Sequence, residues 1–366
     1  MLASTKMRAS RSTRKNKILV TNEAAFVTLR QSIPRCKMLT YGPNSAITSL
    51  HFDEFARNNP GFKAYFDPLP FVEFDAVQID SGPFDHESIE IWGQNTILVR
   101  DRLTPMSAFT MVPQPDWVMF LLPNVWKGDF RVAGQLSDPG DVFYLDAEQE
   151  WFTAAAARDT LSLGVRRSVL SKACANLLGV DFVDLTLGSH TLANGAAITA
   201  VLYKIYTKAT AAADEVGFIN GRLIVPPVLE ADMISELASA LNQSTDSEAM
   251  ISEPHRGSLY VVSRARDALR KAGPAAVSIA NLCEEVGVSR TWLHHSFIAV
   301  FGISAGQYLK LHRLSLAREY LLNSTISQNT VKNVSIGLGF STSGRFAREY
   351  RALFGEYPSD TLGRVW

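Results

Sequence analysis

Leu282-Cys283-Glu284-Glu285-Val286-Gly287-Val288-Ser289 and Val334-Ser335-Ile336-Gly337-Leu338-Gly339-Phe340-Ser341 are one pattern written twice near the end of the chain. Each run is followed by an apolar stripe at i, i+4 and i+8. The stripes are Leu293, Phe297 and Phe301 in the first copy and Phe346, Tyr350 and Phe354 in the second, closed by Gly302 and Gly355. The turn glycines Gly287 and Gly339 lie 52 positions apart and the stripes 53 apart. The spacing therefore predicts one extra residue early in the second helix of the second copy. Self-similarity tied to a glycine turn marks a duplicated supersecondary unit.

Each copy has the physical requirements of a helix-turn-helix. Two short helices that cross steeply need a small side chain where their backbones approach, and Cys283 and Ser335 fill that place. Gly287 and Gly339 supply the left-handed residue that ends the first helix without a Cβ penalty. Ser289 and Ser341 are the expected N-caps of the second helices, accepting from their free amides. The stripe turns inward and leaves the opposite face of the second helix free for a DNA major groove.

Between the copies, Ser304-Ala305-Gly306-Gln307 opens with a capping-box signal, and no glycine or proline interrupts 307–322. A helix of about 19 residues spans roughly 28 Å at 1.5 Å per residue. Readers in successive major grooves must sit about 34 Å apart, so a stiff rod of this size suits the spacing.

The chain's net charge of zero conceals an asymmetry. Residues 256–366 hold 14 Lys/Arg against 7 Asp/Glu, residues 1–17 hold 6 basic and no acidic residues, and 18–255 hold 16 basic against 29 acidic. A positive C-terminal region suits phosphate contact, while an acidic front part would not itself adhere to DNA.

On these residues, positions 258–364 resemble the DNA-binding domain of the AraC/XylS family of bacterial transcription regulators. The matching pieces are Val286-Gly-Val-Ser289, Tyr308-Leu309, Arg313-Leu314, Ala317, Leu321-Leu322, Gly339-Phe340-Ser341, Phe346, Arg348, Phe354-Gly355 and Pro358. Ala305 departs from the family's usual proline, Ser335 from its usual alanine, and Gly337 weakens its helix by ~1 kcal/mol relative to alanine. Carried over by helical phase, the resemblance implies DNA contacts from Arg290, Thr291, His294 and His295 in the first unit. In the second it implies Ser343, Gly344, Arg345 and Arg348. Arg345 and Arg348 suit guanine O6/N7 or phosphate, and the histidines suit base acceptors.

Upstream, short strand-like runs recur from Phe71 to Leu163, punctuated by Pro, Gly and Asp. Pro139-Gly140-Asp141 before Val142 resembles a turn of the cupin-like sensor domains common in that family. Helical text follows at Ser168–Leu178, Ala196–Val216 and Val228–Asn242. The expected fold class is α+β: an N-terminal antiparallel barrel or sandwich with helices, then an all-α domain of two helix-turn-helix units. The expected boundaries are a basic tail at 1–17, a β-rich sensor at 18–165 and a helical dimerisation or covering region at 166–243. A linker at 244–257 and the DNA-binding domain at 258–366 complete them. Cys36, Cys174 and Cys283, odd in number and far apart, read as reduced thiols of a cytoplasmic protein. No run of apolar residues is long enough for a membrane span.

No catalytic or metal-binding constellation stands out. His51, His86 and His190 are the histidines before residue 255, and they form no paired cluster of the cupin-enzyme kind. His86-Glu87 reads as a solvated turn. Neither cofactor nor metal is expected. Trp92, Trp117, Phe120, Trp126 and Trp151 are candidates for lining an apolar effector mouth. The reading is a DNA-binding regulator, an activator acting on promoter DNA with RNA polymerase, dimeric and controlled by a small-molecule effector. Its rivals are a ligand-independent dimeric regulator and a cupin-type enzyme fused to a DNA anchor.

Overall fold

The computed structural model describes residues 39–41, 69–83, 85–181, 183–185, 190–192, 195–211, 218–219, 222–242, 253–273, 277–322 and 330–362. The basic tail, Cys36, His51 and the 244–252 part of the expected linker lie outside the described residues.

Side chains of a strand alternate between two faces, and that alternation builds the front half as layers. β1 (Leu39–Tyr41), β3 (Asp85–Trp92), β4 (Thr96–Thr104), β6 (Trp117–Trp126), β9 (Phe143–Leu145), β11 (Arg158–Arg166), β12 (His190–Thr191), β13 (Phe218–Ile219) and β14 (Arg222–Ile224) form one sheet. β2 (Val72–Gln78), β5 (Ser107–Pro113), β7 (Phe130–Val132), β8 (Gln135–Leu136) and β10 (Trp151–Ala155) form the other. All described pairings are antiparallel except that of β14 with β3. Ile97, Val99 and Leu103 of β4 and Met119 and Leu121 of β6 face Phe109 and Met111 of β5 and Trp151 of β10 across a shared apolar core. His86-Glu87 lies within β3 rather than in the expected turn. β10 escaped sequence reading because its three strand formers, Trp151-Phe152-Thr153, run straight into four alanines of little strand signal, yet it is central to the smaller sheet.

The outer face of the larger sheet is covered by α1 (Arg167–Leu178), α2 (Gly195–Ala211) and α3 (Pro227–Asn242). Arg100 of β4 forks onto Asp159 of β11 (3.1 and 2.9 Å) and lies under the Tyr206 ring of α2 at 5.2 Å. Burial opposes the Arg100 charge, but Asp159 and Tyr206 more than offset it and raise its pKa. Glu230 of α3 accepts from the Asn95 amide (2.6 Å) and the Thr96 hydroxyl (2.8 Å), fixing the third helix to the sheet.

The C-terminal region is helical: α4 (Glu253–Ala272), α5 (Ile279–Val286), α6 (Arg290–Phe301), α7 (Ala305–Leu322), α8 (Val331–Gly337), α9 (Ser343–Phe354) and α10 (Pro358–Leu362). α4 begins inside the expected linker, with Pro254 in its first turn, where a missing amide costs nothing. The outer face of the smaller sheet packs on this region. Val77, Ala108, Phe152 and Ala154 share one apolar cluster with Val261, Val262 and Ala265 of α4 and Phe301 of α6. Phe152 and Phe301 meet edge-to-face at 5.6 Å. The order is therefore helices, large sheet, apolar core, small sheet, helical domain.

Candidate nucleic-acid interface

In the first unit, Ser278 caps α5 in a capping box with Asn281. The helix ends with Gly287 at φ 76°, and two bonds close the turn: Gly287 N–H to the Glu284 carbonyl (3.3 Å) and Val288 N–H to the Cys283 carbonyl (3.0 Å). This is a Schellman motif, which satisfies carbonyls left over at the helix end. Ser289 then caps α6 by accepting from Trp292 N–H at 3.1 Å.

The second unit repeats the closure in register. Gly339, also at φ 76°, donates to the Ile336 carbonyl (2.9 Å), and Phe340 N–H donates to the Ser335 carbonyl (2.9 Å). The N-cap of α9 is Thr342, which accepts from Arg345 N–H at 3.3 Å, and not Ser341 as expected. The cap follows the turn glycine by two positions in the first unit and by three in the second. The extra residue implied by the 52-against-53 spacing thus lies in the turn and not within the helix. A turn absorbs an added residue at little cost, whereas inside a helix it would rotate the stripe by about 100°.

α7 joins the units as the expected rod. Its 18 residues amount to about 27 Å at 1.5 Å each, and Ser304 accepts from Gln307 N–H at 3.2 Å. Arg313 donates to the Val277 carbonyl (2.6 Å), tying the rod to the first unit. Arg318 pairs with Glu356 (3.4 Å) and lies over the Phe354 ring at 4.7 Å, tying it to the second. These arginines fix the angle between the two units.

Leu293, Phe297, Phe301, Phe346 and Tyr350 are buried. Arg290, Thr291, His294 and His295 on α6 and Ser343, Gly344, Arg345 and Arg348 on α9 are all exposed. The His294 and His295 rings lie 5.7 Å apart, edge-to-face. Arg345 is tethered to Glu349 (3.0 Å), which Lys310 of the rod also reaches (3.2 Å). Arg290 and Arg348 make no ion pair among the described residues. Both second helices have caps and no acidic residue in the first turn, so their amino ends present positive dipole to an approaching phosphate. Trp292, 43% exposed beside Arg290 and Thr291, adds an apolar surface that helical phase alone did not select.

The carboxyl ends of the two reading helices are fixed to the small sheet. For α6, Arg131 of β7 reaches the Ala299 carbonyl at 3.5 Å. For α9, the Leu353 carbonyl accepts from Gly82 N–H (3.0 Å) and from the Gln78 amide (3.2 Å). A cleft beside this contact is lined by Asp80 and Ser81 on one side and Lys310, Arg345 and Arg348 on the other. Arg266 of α4 binds Asp75 (3.0 Å) and Glu150 (3.3 Å), with its side chain 5% exposed. Burial works against its charge, but Tyr308, Glu150 and Asp75 hold its pKa above the ordinary value. Sequence reading missed Arg266, although a lone cation among Val262, Ala265 and Leu269 on an amphipathic helix is a visible sign of a buried partner.

A helix-turn-helix domain family matches residues 282–364. Residues 282–364 are thus a helix-turn-helix domain of the AraC type. It is 34% identical over 87 residues to an XylDLEGF operon transcriptional activator of Pseudomonas putida, covering 24% of this chain and 55% of that one. It is 30% identical over 145 residues to a probable thc operon regulatory protein of Rhodococcus erythropolis, covering 39% and 44%. The chain thus spans about half the length of these curated relatives. Among solved structures, a probable AraC family transcriptional regulator from Rhodopseudomonas palustris is 30% identical, covering 28% of this chain and 94% of that one, with a TM-score of 0.26.

The sandwich holds a cavity between its sheets, and the aromatics expected there stand elsewhere. Phe120 faces the helical cover beside Tyr144, Trp151 donates to the Asp146 carbonyl, and Trp117 packs on Phe71. Trp92 stacks under Arg222, and Trp126 packs on Phe130. Phe71, Phe109 and Phe130 line the cavity instead. Strand register decides this: Phe120 lies one residue out of phase with Met119 and Leu121, which face inward. Among the described residues, no three His, Cys, Asp or Glu side chains gather as a metal site requires, and no helix is long and apolar enough to cross a membrane.

Proposed function

We propose that this chain is a sequence-specific transcription regulator whose α6 and α9 enter two successive major grooves of promoter DNA. Arg290, Thr291, His294 and His295 contact one half-site, and Ser343, Gly344, Arg345 and Arg348 the other. One observation carries the reading: eight exposed residues on two capped helices are held by a rod of fixed length. That the Pseudomonas putida relative is an operon transcriptional activator supports activation, which in this reading proceeds through RNA polymerase. The sandwich serves as the effector domain, and an effector regulates only by binding one arrangement of the two domains better than another. In this reading the protein works in the cytoplasm.

Selection of bound sequences from a random DNA pool tests the reading. The full chain should enrich a composite site of two short elements. Arg348→Ala should degrade only the element read by α9, and Arg290→Ala only the other. Enrichment of no sequence, or equal relaxation of both elements by either variant, would refute the assignment.

Homodimerisation belongs to the same proposal and rests on an apolar edge beside the helical cover. Leu177, Leu178 and Val180 are 51%, 54% and 49% exposed at the end of α1. Sedimentation should show a dimer of the full chain that a Leu177→Glu/Leu178→Glu variant loses. A monomer at all concentrations would remove this element.

A further inference from the structure

Arg158 opens β11 on the face that looks into the sandwich, and it is an unusual occupant of an apolar interior. Phe109, Met111, Leu121 and Phe130 wall the cavity beside it, and its guanidinium lies over the Phe109 ring at 4.5 Å. Nη1 donates to two backbone carbonyls, those of Ser107 (3.3 Å) and Ala155 (3.1 Å). Among the described residues, Nε and Nη2 have no acceptor and no carboxylate stands within ion-pair distance. Asp101 also lines the cavity, engaged with other groups and outside that reach. Burial pulls the Arg158 pKa down to about 9, with Asp101 only partly opposing.

The free Nε/Nη2 edge of a guanidinium is the edge that grips a carboxylate through two parallel hydrogen bonds. Thr160 and Ser162 stand on the same face of β11, at i+2 and i+4, and bring two hydroxyls to the same cavity. Apart from Asp101 and Thr153, the remaining walls are aliphatic and aromatic, a poor setting for phosphate or sulfate and a good one for a short hydrocarbon body. A cavity of about 80 Å³ has room for roughly five to eight waters, hence a ligand of about that many non-hydrogen atoms.

We infer that this cavity binds a short-chain monocarboxylate, with the acid on the Nε/Nη2 edge of Arg158 and the chain among Phe109, Met111, Leu121 and Phe130. The assignment rests on reading the sandwich as the effector domain, and it names the chemistry of the effector. It also accounts for a half-buried cation that has no ion pair among the described residues, because the ligand supplies the counter-charge.

Calorimetric titration of the full chain with sodium butyrate, beside the neutral isostere butyramide and with chloride held constant, tests it. Butyrate should bind, and butyramide should bind at least about tenfold more weakly, since it forfeits the charge-assisted pair. Arg158→Gln should lower butyrate affinity by about tenfold or more. Ser162→Leu, which fills the cavity and keeps the cation, should lower it as well and decides the matter if Arg158→Gln does not fold. Acetate should bind more weakly than butyrate, because the apolar walls are left unfilled. Butyrate and butyramide binding alike, undiminished binding by both variants, or no butyrate binding by the wild-type chain would each overturn the inference. Gel-shift measurements on the same preparations separate the two claims. Intact operator binding without butyrate binding defeats this inference alone, and butyrate binding without operator binding defeats the regulator reading alone.

Discussion

The two helix-turn-helix units share a turn yet differ in how they are held. Both close the first helix with the same Schellman pair and a glycine at φ 76°. The first unit has a full capping box at Ser278 and Asn281, a two-step turn to its cap, and an aromatic cluster of Phe297, Phe301 and Tyr308 that continues into Phe152 of the sandwich. The second begins α8 with a single Thr330 cap, takes a longer turn, and meets the sandwich through the hydrogen bonds on the Leu353 carbonyl. Its own core is closed from the other side by α10, where the Tyr350 hydroxyl meets Thr361 at 2.8 Å. Duplicated units can therefore keep one reading geometry while one is welded to the regulatory domain by apolar contact and the other is pinned by polar contact. Apolar contact is hard to switch, whereas a hydrogen-bonded pin is readily exchanged for water.

The comparison breaks first at the weld. Phe301→Ala removes a fully buried ring that touches Phe152, Phe297 and Tyr308, and should cost about 3–5 kcal/mol in urea unfolding. Gln78→Ala, at the pin, should cost roughly 1–2 kcal/mol because one acceptor keeps its second donor, Gly82. Equal losses would erase the distinction between the two attachments.

On DNA, Arg348→Ala should weaken discrimination at one base step by ~1–3 kcal/mol if it reads a base. If it meets phosphate, affinity falls evenly across sequences and the salt slope drops by about one. Arg345→Ala should do less, because Arg345 already spends its charge on Glu349 in the free protein. Competition binding across single-base variants of the operator at two salt concentrations separates these outcomes.

The caps sharpen the comparison at smaller scale. Ser289→Ala and Thr342→Ala should each destabilise by ~1 kcal/mol, and Ser341→Ala should be nearly neutral. A larger loss at Ser341 than at Thr342 in thermal melts would restore the two-step turn. Smallest is Gly337→Ala, at the end of α8, where an added Cβ meets nothing within 4 Å. It should stabilise the second unit by up to ~1 kcal/mol and leave the first unchanged, read by hydrogen exchange resolved along the chain.

The C-terminal domain was legible in the sequence because every local signal there agreed: turn glycines, small crossing residues, stripes and a breaker-free rod. The second cap was misplaced at Ser341 and the extra residue assigned to the helix, although a turn is the cheaper place for an insertion and the cap is Thr342. The strands were visible where β-branched or aromatic residues ran through them, and missed at Trp151–Ala155, where Trp151-Phe152-Thr153 gives way at once to four alanines. Which aromatics faced the cavity depended on register, and one residue of phase separates Phe120 from the interior. Arg158 and Arg266 escaped notice for another reason. Burial of a charge is set by partners distant in the chain, Asp75 and Glu150 for Arg266, and the local pattern signals a partner without saying which.

Hydroxyl-radical footprinting of the full chain on its selected operator tests the central claim most directly. Two protected patches should lie on one face of the duplex with centres about 10 base pairs apart, and Arg290→Ala and Arg348→Ala should each weaken a different patch. A single patch covering one groove, or two patches that fade together in either variant, would contradict the arrangement of two readers on one rod.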